Sequence, residues 1–507
     1  MSQENVRRNA KGRTRNRGGE RHFSAQAPSA RRRTADPARL TAFEVLEAVS
    51  RDDAYANLVL PSRIRRNRLD RRGAGLATEL TYGSLRWSGT YDQILAECID
   101  RPLEDVDPSI VNALRLGAHQ LLNMRVPHHA ALSETVALVR EQIGAGPSGF
   151  ANAVLRRVSE TSREDWLTLL EAKAPSEAAA LGVEFAHPEW IVRALRQSLS
   201  VHGCQPDELP ALLEADNAAP AVSLVALPGL GTLDEALDAG AEPGDLVESS
   251  ALMSHGDVGR LRSVAEGVVR VQDAGSQLVA RALAAAPVAS SPEGAGEPET
   301  WLDACAGPGG KAALLAALAE ATGGYLDANE PQEHRADLVE RALGPVDPGV
   351  WRIRVGDARE IGGILPNEYD RVLVDVPCSG LGALRRRPES RWRRSPHDIA
   401  ELGPLQREIL ESALASVKPG GVVAYVTCSP HPAETRAVVD DVLGSYREHG
   451  MALRRLSARE ALERVALKPL FDGVEDGLDA QLWPHRHGTD AMFMSLLTKE
   501  AAHDAEQ

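Results

Sequence analysis

The chain lacks any apolar run approaching the roughly 20 residues that a membrane-crossing helix needs. Its first residues are polar and arginine-rich, without the apolar core of a signal peptide. The reading is therefore of a cytoplasmic protein with no membrane partner. Cysteine is scarce: five in 507 residues, at no regular spacing. That leaves no disulfide framework and no zinc knuckle, so no metal is expected, and it suits a reducing compartment in which a thiol stays free for chemistry. An overall positive charge is also missing. The formal net charge of -15 argues against a nucleic-acid partner, but the charge is unevenly spread. Residues 1–35 hold ten Lys/Arg against Glu4 and Glu20, hence +8, which leaves -23 for the remainder. Two further basic runs lie at Arg63 to Arg72 and Arg385 to Arg394. Local basic clusters attract polyanions even on an acidic molecule.

What is present divides the chain. Residues 1–35, with almost nothing apolar, are expected to be a disordered basic tail, either solubilising or holding RNA backbone. Residues 36–160 carry apolar residues at helical spacing, as in Ala42-Phe43-Val45-Leu46-Val49, and predict a helical bundle. Pro127-His128-His129 breaks the pattern, with helices expected to resume at Ser133 and again at Gly149. Residues 161–270 predict a small α+β connecting domain, with a helix at Trp190–Leu195 and a strand at Ala221–Leu227. The Pro/Gly/Ser/Glu-rich stretch 287–299 reads as a surface loop, and 500–507 as a disordered tail. Within 271–499, strands and helices alternate from residue 300, which implies an α/β, Rossmann-like parallel sheet. Strands should end at Cys305, Asn329, Val355, Val376 and Thr427, and helices begin near Lys311, Gln332, Leu402 and Thr435. Lys418-Pro419-Gly420-Gly421 reads as the turn into the last strand.

The strand ends carry the chemistry, because open α/β sheets bind ligands there. Asp303-Ala304-Cys305 opens into Gly307-Pro308-Gly309-Gly310-Lys311, where glycines admit a close ligand and the following helix offers its positive end. Glu330 is placed for ribose hydroxyls, Asp357 for an exocyclic amine, and Asp375 precedes Pro377-Cys378. Each acid alone is most simply a cap or surface charge. Four features along one sheet edge favour an adenosine carrying a charged amino acid, S-adenosylmethionine. Cys378 and Cys428 follow the runs Val372–Val376 and Val422–Thr427, so two thiols face this pocket. Methylating carbon 5 of a pyrimidine needs a soft nucleophile at carbon 6, which cysteine supplies. Cys98 and Cys204 read as core residues, and Cys305 as pocket lining.

Asp303-Ala304-Cys305-Ala306-Gly307-Pro308-Gly309-Gly310-Lys311, Asp375-Val376-Pro377-Cys378-Ser379-Gly380 and Thr427-Cys428-Ser429 resemble the RNA cytosine-5 methyltransferases of the NOL/NOP2/Sun family, in particular its bacterial 16S ribosomal RNA branch. The likeness extends to Val271-Gln272-Asp273, Ser276-Gln277-Leu278 and Arg387-Pro388 to Leu405-Gln406, and residues 36–160 resemble the NusB-type RNA-binding domain of that branch. The resemblance implies Cys428 as nucleophile, Cys378 assisting product release, Asp375 on the cytosine's polar edge and Lys311 near the reacting base. It implies a cofactor site of Cys305, Ala306, Gly307, Pro308, Gly309, Gly310 and Lys311 with Glu330, Asp357 and Asp375. It implies a monomer acting on ribosomal RNA. A transfer RNA methyltransferase, or a non-catalytic NusB-like antitermination factor, are the rival readings. The sequence departs from the family at Ala433-Glu434-Thr435, where Glu-Glu-Asn is usual, and at Asp490-Ala491-Met492-Phe493. The run Arg385–Arg394 is expected to hold RNA phosphates at the active-site mouth, with Trp392 either stacking on a base or packed in the core.

Overall fold

The computed structural model describes residues 35–289, 298–449 and 453–500. The expected tails at 1–35 and 500–507 fall almost wholly outside these residues, as does most of the loop at 287–299. Ala35 lies within them; it is buried, and its backbone N–H donates to Glu141.

Seven helices form the first layer: α1 Pro37–Arg51, α2 Ala56–Arg66, α3 Arg71–Arg86, α4 Ser88–Cys98, α5 Pro108–Leu122, α6 His128–Gln142 and α7 Ala145–Ser159. Their starts are written in cap chemistry. Asp36, Asp70 and Asp107 each accept an N–H of the first turn, and prolines open α1 and α5. The break seen at Pro127-His128-His129 is itself a helix start, because Pro127 caps α6 at His128. Likewise α7 begins four residues before Gly149. Four helices, Arg163–Glu171, Glu177–Glu184, Glu189–Val201 and Leu209–Asn217, lead into an antiparallel sheet of order β2-β3-β1-β4. Its strands are β1 Val222–Ala226, β2 Glu242–Pro243, β3 Ser250–Met253 and β4 Val269–Val271.

The third unit is an eight-stranded sheet: β5 Thr300–Asp303, β6 Tyr325–Asn329, β7 Trp351–Arg354, β8 Tyr369–Asp375, β9 Val417–Thr427, β10 Leu453–Leu456, β11 Ala480–Gln481 and β12 Phe493–Lys499. The order is β10-β12-β9-β8-β5-β6-β7, with β11 beside β12. From β9 to β7 the pairs are parallel, whereas β10, β11 and β12 join antiparallel. The apolar runs that marked the central strands are buried on both faces, as a parallel sheet between helices requires. Connections from β5 run first toward β7 and then back through β8 to β9, so the order reverses beside β5.

Two further expectations need correction. Lys418–Gly421 is an irregularity inside β9, not a turn before it. The register slips between Tyr369↔Val417 and Arg371↔Val422, and Gly420 takes φ +81°. The helix expected at Leu402 starts at Pro396, where Ser395 and Asp398 form a capping box.

The segment after β8 stitches the units together. The Arg391 side chain is fully buried and donates to the carbonyls of Arg86, Ala186 and Asp216 and to Asn217 Oδ1. Arg393 donates to the carbonyls of Val49, Asp53 and Ala54, and Glu389 accepts the N–H of Ala56. Arg391→Leu should therefore destabilise the chain by about 1–3 kcal/mol, the range for leaving buried acceptors unpaired. Urea unfolding checks this, and an unchanged midpoint would show that the seam does not depend on it.

Candidate active site

The cavity opens at the carboxyl end of the parallel strands, where the strand order reverses. β5 ends at Asp303, and Ala304–Gly309 turns into the helix Gly310–Ala321. The Asn329 side chain donates to the carbonyls of Ala304 and Gly356, and the Asn329 backbone carbonyl accepts the N–H of Ala306, tying the loops after β5, β6 and β7 into one rim. At Gly307 a Cβ would lie 2.0 Å from Glu330 Oε2, so any side chain there would displace the Glu330 carboxylate. Gly309 has φ +99°, and a Cβ would meet that of Ala342 at 2.4 Å.

The cavity has a volume of about 720 Å³, within the range of small-molecule sites. Its wall includes Cys305, Ala306, Gly307, Pro308, Gly310 and Lys311, then Glu330, Asp357, Asp375, Cys378 and Cys428. Gly309 is the one expected residue off the wall; it serves the backbone turn. Glu330 is buried, accepts the N–H of Gln332 and sits 3.5 Å from Arg335. Asp357 is half-exposed and closes a bidentate pair with Arg359, which holds its carboxyl below the usual range. Asp303, not singled out from the sequence, is fully buried in this wall. Burial first, and then the nearby Asp375 charge, push its carboxyl up to about 7. Burial also raises the Cys305 thiol, which leaves it unreactive.

Adjacent parallel strands deliver the two remaining cysteines. Asp375 pairs with Val426, so Cys378, three residues on, and Cys428, two residues on, reach the same height. Their sulfurs are 3.3 Å apart. Lys311 Nζ lies 2.7 Å from Asp375 Oδ2. Burial opposes the ammonium's charge, but Asp375 and the Cys428 thiol outweigh it and raise its pKa. The thiols titrate as a pair. A hydrogen bond from Cys428 lowers Cys378, and the same bond, with burial, raises Cys428. One proton is thus lost readily and the second is held. That second proton rests on Cys428, and the Lys311 charge acts against it by favouring the Cys428 thiolate.

The residue that sequence reasoning undervalued is Glu434. Its carboxylate is completely buried and accepts the Ser379 N–H at 2.7 Å, the Ser379 hydroxyl, and the Ser429 hydroxyl at 2.6 Å. Gln406 bridges it to the Pro377 carbonyl. Glu434 lies within the departure Ala433-Glu434-Thr435, so the one acid retained there was the available signal. Its neighbour Thr435 places its hydroxyl against the His431 carbonyl and His202.

The basic run does border the cavity, as expected, through Arg386, Arg387 and Arg394, but the rest of it is drawn inward. Arg385 and Arg386 both pair with Asp273 and Asp490, and Arg391 and Arg393 are used in the seam. Trp392 packs over Gly89 of α4, away from the cavity. These arginines are occupied because each faces a buried acceptor, which a composition count cannot reveal. Among the described residues, no group of three or more His, Cys, Asp or Glu is placed to hold a metal ion. Among them too, no helix is long and apolar enough to cross a membrane.

The profile of the 16S rRNA methyltransferase RsmB/F family matches residues 294–498, and that of the NusB family matches 36–160. A Mycobacterium tuberculosis protein named as a methyltransferase, MT1451, is 44% identical over 92% of this chain and 98% of its own length. Ribosomal RNA small subunit methyltransferase B of Salmonella newport is 32% identical over 78% of this chain and 87% of its own. The enzyme of that name in Pseudomonas syringae is 29% identical over 92% and 98%. The crystal structure of PH0851 superposes with a TM-score of 0.74 at 21% identity, covering 92% of this chain and all of that one.

The thiol pair sets a testable pH dependence. Cys428→Ala removes the hydrogen-bond donor that holds Cys378 low, so the Cys378 pKa should rise. The pH midpoint for alkylation of Cys378 by iodoacetamide, followed by peptide mass spectrometry, should move upward. A midpoint that stays or falls would mean that the two thiols do not share a proton.

Proposed function

The chain belongs to the 16S rRNA methyltransferase RsmB/F family and is an RNA methyltransferase, and from that membership and the site geometry we propose that it methylates carbon 5 of a cytosine in small-subunit ribosomal RNA, using S-adenosylmethionine. The observation that carries the reading is the thiol pair, 3.3 Å apart, beside a Lys–Asp pair on the wall of a nucleoside-sized cavity.

The glycine turn, Glu330 and Asp357 suit the cofactor, whose bound form supplies an electrophilic methyl group on sulfonium. Side-chain-free Gly307 and the N-terminus of the helix Gly310–Ala321 leave room and positive potential for its amino-acid end. Cys428, as thiolate, adds to carbon 6 of the cytosine, and the ring electrons make carbon 5 nucleophilic. Asp375 accepts from the exocyclic amine, and Lys311 beside it stabilises charge that develops on the ring. Once carbon 5 carries the methyl group, its proton must leave so that the carbon–sulfur bond to Cys428 can break. Cys378, against that sulfur, takes this proton as thiolate, and breaking the carbon–sulfur bond returns Cys428 as thiolate. The base must be unstacked to enter, so the target strand is single or locally opened. The family profile and the Salmonella and Pseudomonas relatives support ribosomal RNA as the substrate class.

Cys428→Ala should abolish transfer of labelled methyl to ribosomal RNA while cofactor binding survives, and near-normal turnover would refute the nucleophile assignment. Cys378→Ala should retain addition but lose release, so a slow-migrating protein–RNA species should build up on a denaturing gel. Its absence under conditions in which the wild type methylates would count against that role.

A further inference from the structure

Helix α2 connects the cavity to a basic cluster that the chemistry leaves unused. At its start, Tyr55 and Asn57 reach the cavity wall, and the buried Asn57 Oδ1 has no hydrogen-bond partner among the described residues. The guanidinium of Arg387, an exposed residue, lies over the Tyr55 ring, 5.1 Å from its centroid. From there the solvent-facing positions Leu58, Ser62 and Arg65 follow at spacings of four and three along one helix face. The face ends in Arg68, Arg71 and Arg72 at the junction with α3, all exposed. The 11 residues of α2 span about 16 Å at the usual helical rise.

The charges at the far end have no internal role. Arg63 and Arg66 pair with Glu44, whereas Arg65, Arg68, Arg71 and Arg72 make no side-chain hydrogen bond or ion pair among the described residues. Arg71 and Arg72 occupy the first turn of α3, the positive end of the helix dipole, where a cation works against folding. Four unpaired arginines clustered on a chain of net charge -15 mark a surface for an anion. Of the other basic run, only Arg387 and Arg394, on the cavity wall, are left without an acidic or carbonyl partner among the described residues, so it offers no phosphate track beyond the mouth.

We propose that the outer face of α2 and its junction with α3 form a rail for the single-stranded RNA flanking the target cytosine, with backbone phosphates on Arg65, Arg68, Arg71 and Arg72. The strand leaves the cavity past Tyr55 and Asn57 and follows the helix. This rests on the RNA reading above and adds to it which surface holds the strand and in which direction the strand runs.

The test uses the full chain with Arg65, Arg68, Arg71 and Arg72 all changed to Ala. A control variant of equal charge change carries Ala at Arg193, Arg196, Arg260 and Arg262, and a third variant lacks residues 1–34. Binding of a labelled single-stranded, cytosine-containing oligoribonucleotide is followed across a salt series, with cofactor affinity measured in parallel. The rail variant should bind roughly tenfold or more weakly, with a salt slope flatter by about 2–3, near 0.7 per lost phosphate contact on a single strand. The control should move far less, and cofactor affinity should not change. A slope equal to wild type or to the control overturns the rail, and a loss confined to the tail deletion assigns the strand to the tail. Equal affinity of the wild type for a duplex of the same length overturns the single-strand claim. If the wild type binds the oligonucleotide through these arginines but transfers no methyl group, the proposed reaction fails and the rail stands. If it methylates ribosomal RNA and the rail variant keeps the same KM, the rail fails alone.

Discussion

One buried carboxylate holds the two thiol loops together. Glu434 lies beneath both, accepting from Ser379 just after Cys378 and from Ser429 just after Cys428. Parallel pairing of β8 with β9 brings the loops to the same height, but it ends at Asp375 and Val426, before either cysteine. Beyond that point the loops are joined by the Gly382 N–H on the Cys428 carbonyl, by the Ser379 hydroxyl on Ser429, and by Glu434. Hydrogen bonds to a charged group are worth about 1.5–3 kcal/mol each, and the alternative here is an unpaired buried charge. Three such bonds on one carboxylate leave the loops no comparable alternative geometry.

The same economy of charge governs the rest of the molecule. Arg391 joins the bundle to the connecting helices, and Arg385 and Arg386 join the β8 loop to Asp273 before the sheet and to Asp490 before β12. These contacts bring Tyr55 and Asn57 of the bundle to a cavity built by the distant sheet. The helical domain is therefore part of the cleft wall, and what it holds is delivered at a defined distance from the thiols.

Much of this was legible in the sequence, and the failures have physical causes. Buried parallel strands write apolar runs, so β5, β6, β8 and β9 are legible with their ends within two residues, and the edge strand β7, half-exposed with alternating arginines, is legible by its β-branched and aromatic residues. The bulge in β9 was misread because Pro419-Gly420-Gly421 carries turn chemistry wherever it stands. The start of α6 was misread because a proline followed by two histidines resembles a break as much as a cap. The arginines of 385–394 look alike in composition, and only tertiary placement separates Arg391, fully buried, from Arg387, which is exposed. Glu434 stood in plain view, but its weight comes from partners 5 and 55 residues away, and no local pattern encodes them.

The central claim is that the thiols act as a positioned pair. The most direct measurement is the single-turnover rate of methyl transfer by Glu434→Ala and Glu434→Gln, with cofactor affinity and unfolding midpoint recorded beside it. Misplacing a reacting group by about 1 Å can cost on the order of 100-fold in rate. The account predicts a loss of that size for Glu434→Ala, a smaller one for Glu434→Gln, which keeps an acceptor oxygen, and unchanged cofactor affinity in both. A folded Glu434→Ala protein transferring methyl groups at the wild-type rate would contradict it.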